Sequence, residues 1–114
     1  MDVHIYYHTQ FCKDLKRLSK KYTSLKQDFS EFLDELLKNP CLGIDLGSGF
    51  HKVRMSISSK KKGKSGGARV ITYLAKMSGD GMHEIYLLTM YDKNEMENVS
   101  DKYLRHLIGT IDMA

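Results

Sequence analysis

Three successive stretches between Phe50 and Tyr91 carry the two-residue period of β-strands, and no other feature of the chain restricts its fold as much. In the first, His51, Val53, Met55 and Ile57 fall on one side while Phe50, Lys52, Arg54 and Ser56 fall on the other. In the second, residues 68–76, Arg69, Ile71 and Tyr73 share a side. The third, residues 83–91, contains the apolar run IYLLTMY and is expected at the centre of a sheet. Ser78, Gly79, Asp80 and Gly81 read as a turn, and residues 58–67 as a basic, glycine-rich connection. Strands joined by links of this length pair antiparallel, because a parallel pair needs a longer crossover.

The first half of the chain supplies what covers such a sheet. Val3, Ile5 and Tyr7 alternate with Asp2, His4, Tyr6 and His8, which predicts a short opening strand. Beyond Thr9, a candidate N-cap, Phe11, Leu15, Leu18 and Tyr22 recur at helical spacing, with Lys13, Lys16, Arg17, Lys20 and Lys21 mostly on other faces. Ser24 followed by Gln27 fits a capping box for a second helix bearing Leu25, Phe29, Phe32, Leu33, Leu36 and Leu37. Asn39-Pro40 ends that helix, since the residue before proline is pushed out of the α region. The short link makes the pair an antiparallel hairpin. Gly43, Gly47 and Gly49 mark a loop with tight backbone demands. Asn98 or Ser100 can cap a last helix, whose Leu104, Leu107, Ile108 and Ile111 form one stripe. The predicted order is β-α-α-β-β-β-α, a single α+β domain over residues 1–114. In it a helical hairpin packs on one face of an antiparallel sheet, the other face stays open for function, and the C-terminal helix lies at its edge.

Charge is unevenly placed on this frame. Between Leu46 and Gly79 there is no Asp or Glu, yet eight of the chain's 18 Lys and Arg stand there: Lys52, Arg54, Lys60, Lys61, Lys62, Lys64, Arg69 and Lys76. A concentrated positive field attracts polyanions, with RNA or DNA the commonest. Apolar content of 41% beside 28% charged residues suits a globular chain rather than a disordered one. The apolar runs fall far short of the ~20 residues that cross a bilayer, so no membrane partner is expected. Asp2, His4 and His8 interrupt any apolar signal core in MDVHIYYHTQ, and a cytoplasmic location is expected. Cys12 and Cys41 lack a second cysteine at metal-ligand spacing and read as plain thiols in a reducing compartment.

Several familiar chemistries are not indicated. The segment GKSGG at residues 63–67 fails as a phosphate-binding loop, because Ser58 stands where the pattern needs glycine and a strand follows where it needs a helix. His4, His8, His51, His83 and His106 show no HxxxH or HxH spacing, so neither a metal nor a cofactor is expected. His51, on the apolar side of its strand, reads as a core residue. Asp34 and Glu35 read as solvated helix charge. What remains is a group of cations and tyrosines on neighbouring strands: Lys52, Arg54, Arg69, Tyr73 and Tyr91. Lys and Arg two positions apart on one strand face are spaced ~7 Å, near the phosphate spacing of a nucleic acid. Tyrosine can stack on a base, which completes the division of labour used on single-stranded RNA.

The segments GSGFHKVR, KKGKSGGARVITY and IYLLTMYDKNE together resemble the RelE/HigB-like toxins of bacterial type II toxin–antitoxin pairs, in particular the HigB-like KGKxGGxRxIxY and YLLxxYxKNE signatures. These motifs keep order and spacing across residues 50–95, and the strand, two helices and NPxxG upstream also fit. The resemblance implies the βααβββα microbial-ribonuclease-like fold. It also implies an endoribonuclease that cuts mRNA in the decoding site of the ribosome and is silenced by a cognate antitoxin. By position, Lys52 and Arg54 match the family's basic strand pair, Arg69 its arginine after the GG loop, and Tyr91 and Lys93 its YxKNE segment.

Such a site works without metal: a base takes the ribose 2′-OH proton, the oxygen attacks the adjacent phosphorus, cations stabilise the charge, and an acid protonates the leaving oxygen. Arg54 and Arg69 are the candidates for charge stabilisation, Lys52 or Lys64 for base or electrostatic helper, and Tyr91 for acid or stacking group. Lys60, Lys61, Lys62, Lys64, Tyr73 and Lys93 are the candidate RNA contacts, with Lys60, Lys61 and Lys62 read as phosphate steering on a mobile loop. The alternatives on the same fold are a ParE-like DNA gyrase inhibitor and a non-catalytic RNA-binding module.

Overall fold

A computed structural model describes residues 2–61, 63–77, 81–96 and 98–111, with side chains described except at Lys76 and Met77. The chain runs β1 (Asp2–Tyr7), α1 (Thr9–Lys21), α2 (Leu25–Lys38), β2 (Ile44–Gly47), β3 (Phe50–Met55), β4 (Ala68–Met77), β5 (Met82–Asp92) and α3 (Asp101–Gly109). Single 3-10 turns at Ser58–Lys60 and Lys64–Gly66 lie in the β3–β4 connection. Of the expected turn at residues 78–81, only Gly81 falls within the described residues.

The protein is an α+β fold with one five-stranded sheet in the order β1-β5-β4-β3-β2. β3, β4 and β5 form the antiparallel meander expected, but β4 rather than β5 is the central strand, β5 lying inside the sheet beside it. Two further expectations need correction. The sheet is mixed, because β1 runs parallel to β5 from Asp2↔Met82 to Tyr7↔Leu87. Periodicity tells which strands follow one another, not the direction in which a distant strand docks. The glycine-rich segment also contains a strand: β2 pairs antiparallel with β3 through a turn in which Gly47, Ser48 and Gly49 all have positive φ, 89°, 54° and 90°. β2 is short and exposed throughout, so no apolar alternation announces it.

Two apolar layers flank the sheet. On one face α1 and α2 bury Phe11, Leu18, Leu25, Phe32 and Leu36 against Val53, Met55, Ile57, Val70, Ile85, Leu87 and Met90. Each such large side chain contributes roughly 1.5–3 kcal/mol through area removed from water. On the other face Leu104 and Leu107 of α3 pack on Phe50, Ile71, Tyr86, Leu88 and Tyr91. α3 therefore covers much of the face expected to be open, rather than edging it, because its Leu stripe finds apolar partners there. Among the described residues no helix is long and apolar enough to cross a membrane.

The helix starts differ in part from expectation. His8, not Thr9, caps α1: its Nδ1 accepts from the Gln10 amide at 2.9 Å, while its Nε2 lies 3.0 Å from the Leu107 carbonyl oxygen and 2.8 Å from Thr110 Oγ1. Ser24 precedes α2 without a side-chain cap bond: its hydroxyl donates to Asp28 Oδ2 at 2.7 Å and accepts from the Ser59 amide at 2.9 Å. Of the two candidates for the α3 cap it is Ser100 that serves, accepting from the Tyr103 amide at 3.0 Å. Asn39 leaves the helical region at φ −143° and ψ 92°, as its place before Pro40 requires.

One irregularity decides where Tyr91 points. The β4–β5 register passes from Thr72↔Leu87 to Ile71↔Thr89, so Leu88 is an extra residue, a β-bulge. Before it, Ile85 and Leu87 face the helical hairpin and Tyr86 faces α3; beyond it, Met90 faces the hairpin and Tyr91 faces α3. Asp14 of α1 stabilises this stretch, its Oδ2 accepting from Thr89 Oγ1 at 2.6 Å and from the Met90 amide at 3.1 Å.

Candidate nucleic-acid interface

Strand register brings the central candidates into one row. Arg54 of β3 stands opposite Arg69 of β4, and Arg69 stands opposite Tyr91 of β5. All three lie on the α3 side of the sheet, since Phe50, Ile71 and Tyr91 belong to that layer and Arg54 and Arg69 share its parity. Lys52 follows two positions along β3, half-buried, with Nζ donating to Asn98 Oδ1 at 3.0 Å.

The members of the row differ in setting. Arg54 is exposed, whereas Arg69 is only 7% exposed. The Arg69 guanidinium donates to the backbone carbonyls of Lys64 at 3.3 Å, Ser65 at 3.1 Å and Ala68 at 3.2 Å, which ties the basic loop to the sheet. Burial, and then the like charge of Arg54, lower the Arg69 pKa from its ordinary value. Tyr91 is 3% exposed, and its hydroxyl has no hydrogen-bond partner among the described residues. Burial raises its pKa, and the nearby Arg69 charge only partly offsets this, so the phenol stays protonated. Two guanidinium groups directly across a strand pair repel, and an anion placed between them removes that cost. With its ring packed under α3, Tyr91 offers no open face for stacking on a base.

The remaining candidates divide. Lys60 is not a steering group: its side chain is 8% exposed and its Nζ lies 2.8 Å from Asp92 Oδ1, a carboxylate with 0% exposure. Tyr22 also donates to Asp92 Oδ2, and the Asn94 amide to Oδ1 at 3.0 Å. Burial alone would raise the Asp92 pKa, but the hydrogen bonds from Lys60, Tyr22 and Asn94 outweigh it and hold the carboxyl at about 2. Buried carboxylates require such partners. At the preceding turn, Asp28 accepts from the Ser58 amide at 2.9 Å and from its hydroxyl at 2.5 Å. The connection is thus pinned at residues 58–60 by Asp28 and Asp92 and at residues 64–65 by Arg69.

Lys61 is exposed in the left-handed region at φ 59°. Lys64 is exposed and paired with Glu35 at 3.1 Å. Lys93 is exposed, and its amide donates to the Gly67 carbonyl at 3.1 Å, which sets it beside the loop. Lys62 lies outside the described residues. Tyr73 packs on Phe50 with ring centroids 5.3 Å apart, four residues or ~13 Å along β4 from Arg69, so the row does not include it. His51 is buried on the hairpin side, as expected for a core residue.

Asn98, Asp92 and Asp28 hold the site's lysine and loop, and no motif or spacing in the sequence marks them for that part. Nothing local distinguishes a buried carboxylate from a solvated one; only its distant partners do. Among the described residues no His, Cys, Asp and Glu group could hold a metal ion. Compared with models of known protein families, the chain matches none.

Proposed function

We propose that this protein is the toxin of a toxin–antitoxin pair, a RelE/HigB-like endoribonuclease of the cytoplasm that cuts translated mRNA in the ribosomal decoding site and is silenced by a cognate antitoxin. The observation that carries this reading is the cross-strand row of Arg54, Arg69 and Tyr91, with Lys52 beside it. The row pairs two cations suited to one phosphate with a protonated phenol whose hydroxyl is unclaimed among the described residues. The sequence resemblance over residues 50–95 supports the same reading.

In the proposed reaction, which requires no metal, a base removes the ribose 2′-OH proton. The 2′-oxygen attacks the adjacent phosphorus in line, the bond to the 5′-oxygen breaks, and that oxygen takes a proton from an acid. The products are a 2′,3′-cyclic phosphate and a 5′-hydroxyl. Arg54 and Arg69 stabilise the pentacovalent charge. Tyr91 is assigned the leaving-group proton because its phenol is protonated; burial makes it a weaker acid than a free phenol and shields its hydroxyl, so the leaving oxygen has to reach it beneath α3. Lys52 or Lys64 acts as base or electrostatic helper, a lysine base requiring neighbouring cations or the ribosome to weaken its hold on the proton. Lys61, Lys64 and Lys93 hold flanking phosphates.

Incubation with translating ribosomes, followed by mapping of 5′ ends, tests the proposal. Arg54→Ala is the informative variant, because Arg54 is exposed while Arg69 also holds the loop. Wild-type protein is expected to cut the message, and Arg54→Ala to cut on the order of 10²–10³ times more slowly. Intact message with wild-type protein, or unimpaired cutting by the variant, overturns the reading.

A further inference from the structure

α1 carries a second concentration of positive charge, on the opposite side of the sheet from Arg54 and Arg69. Lys13, Lys16, Arg17, Lys20 and Lys21 are all exposed, while the helix's one carboxylate, Asp14, is buried and bonded to Thr89 and Met90 of β5. Along this helix opens a groove of about 410 Å³, lined by Cys12, Leu15, Lys16, Ser19 and Lys20 and, from the start of α2, Lys26. The α1 residues are spaced i, i+3, i+4, i+7 and i+8, one continuous stripe over two turns. A volume in the ~300–1,000 Å³ range is enough to seat whole side chains.

The lining has an ordered chemistry. Cys12, Leu15 and Ser19 form a weakly polar floor, and Lys16, Lys20 and Lys26 stand at the rim without an ion pair among the described residues. The occupant must therefore bring apolar groups to the floor and anions to both banks. Single-stranded RNA offers phosphates but no aliphatic side chains, and no aromatic ring lines the groove to stack on its bases. A helix laid along the stripe meets both demands, with apolar residues at i and i+3 or i+4 and carboxylates beside them. We propose that the α1 groove is the docking site for an acidic amphipathic helix of a partner protein. This proposal does not rest on the nuclease reading, because an occupant here leaves the strand row untouched.

The protein's two exposed thiols allow a test on the full chain: Cys12 lies in the groove, and Cys41 lies outside it as an internal control. The probe is a synthetic helical peptide of Glu and Leu in amphipathic order, long enough to be helical, about 20 residues. The measurement is the rate of iodoacetamide alkylation at each thiol. With peptide at ~10 times its Kd, Cys12 should react about tenfold more slowly and Cys41 at its free rate. In Lys16→Glu/Lys20→Glu, which alters only exposed positions, the protection should disappear because like charges then face each other. Unprotected Cys12, or protection that survives the double substitution, overturns the proposal. Equal protection by polyglutamate, a scrambled peptide, single-stranded RNA or phosphatidylglycerol vesicles also overturns it, since charge alone would then suffice.

Discussion

The Tyr91 hydroxyl is buried without a partner among the described residues, an arrangement that costs folding free energy of about 1–3 kcal/mol. Such an orphan is expected where a group is kept for a ligand. Tyr91→Phe should therefore raise stability by about 1 kcal/mol in urea titration. The same variant should cut RNA at least a hundredfold more slowly, at the low end of general acid catalysis. Full activity would remove Tyr91 from the reaction. Asp92 makes the opposite trade. Its folded pKa of about 2 lies below the ordinary 3.8, so its contribution is fully present above pH ~4 and is lost as pH falls towards 2. The size is on the order of 2 kcal/mol. Asp92→Asn leaves Lys60 buried without a counter-ion and should cost about 3 kcal/mol at neutral pH, with the gap to wild type narrowing below pH 3. Urea midpoints measured across that range check both statements.

At the scale of elements, the β3–β4 connection depends on a close backbone approach. A Cβ built at Gly67 would lie 2.1 Å from the Met55 carbonyl oxygen, and backbone cannot yield as a flexible side chain can. Gly67→Ala is expected to cost about 3 kcal/mol or more, at the upper end of single substitutions, because β3 and β4 would have to separate at the end that carries Arg54 and Arg69. A urea midpoint within error of wild type would contradict that geometry. The β5 bulge is a second such device, supported from another element by Asp14. The alternation rule applied to IYLLTMY would put Tyr86 and Tyr91 on opposite faces, yet both pack against α3. No residue in that run announces the extra position; the bonds from Thr89 and Met90 to a carboxylate on α1 make it tolerable.

Across the whole molecule, only part of the basic window is open to a polyanion such as the RNA proposed above. Lys60 is committed to Asp92, while Lys52, Arg54, Lys61 and Lys64 keep some exposure, as does Lys93 beyond the window. For single-stranded RNA, removing one phosphate-binding cation should flatten the plot of log affinity against log salt by about 0.7. Arg54→Ala and Lys61→Ala are each expected to do so, whereas Lys60→Met should leave the slope unchanged and lower stability instead. Filter binding over a range of NaCl concentrations separates the two behaviours.

Sequence alone determined the amphipathic helices, the Asn39-Pro40 stop, the antiparallel order of β3, β4 and β5, and the placing of Lys52 with Arg54 on one side of their strand. These follow from periodicity and local backbone chemistry, which each segment expresses without reference to the others. Tertiary structure decided the parallel docking of β1, the presence of β2, the covering of the strand face by α3, and the division of the lysines into buried partners and free cations. It also set the direction of Tyr91, through a bulge held by Asp14. The physical reason is common to all of these: burial, register and ion pairing are made between residues far apart in the chain. A lysine beside a turn reads the same whether Asp92 awaits it or water does.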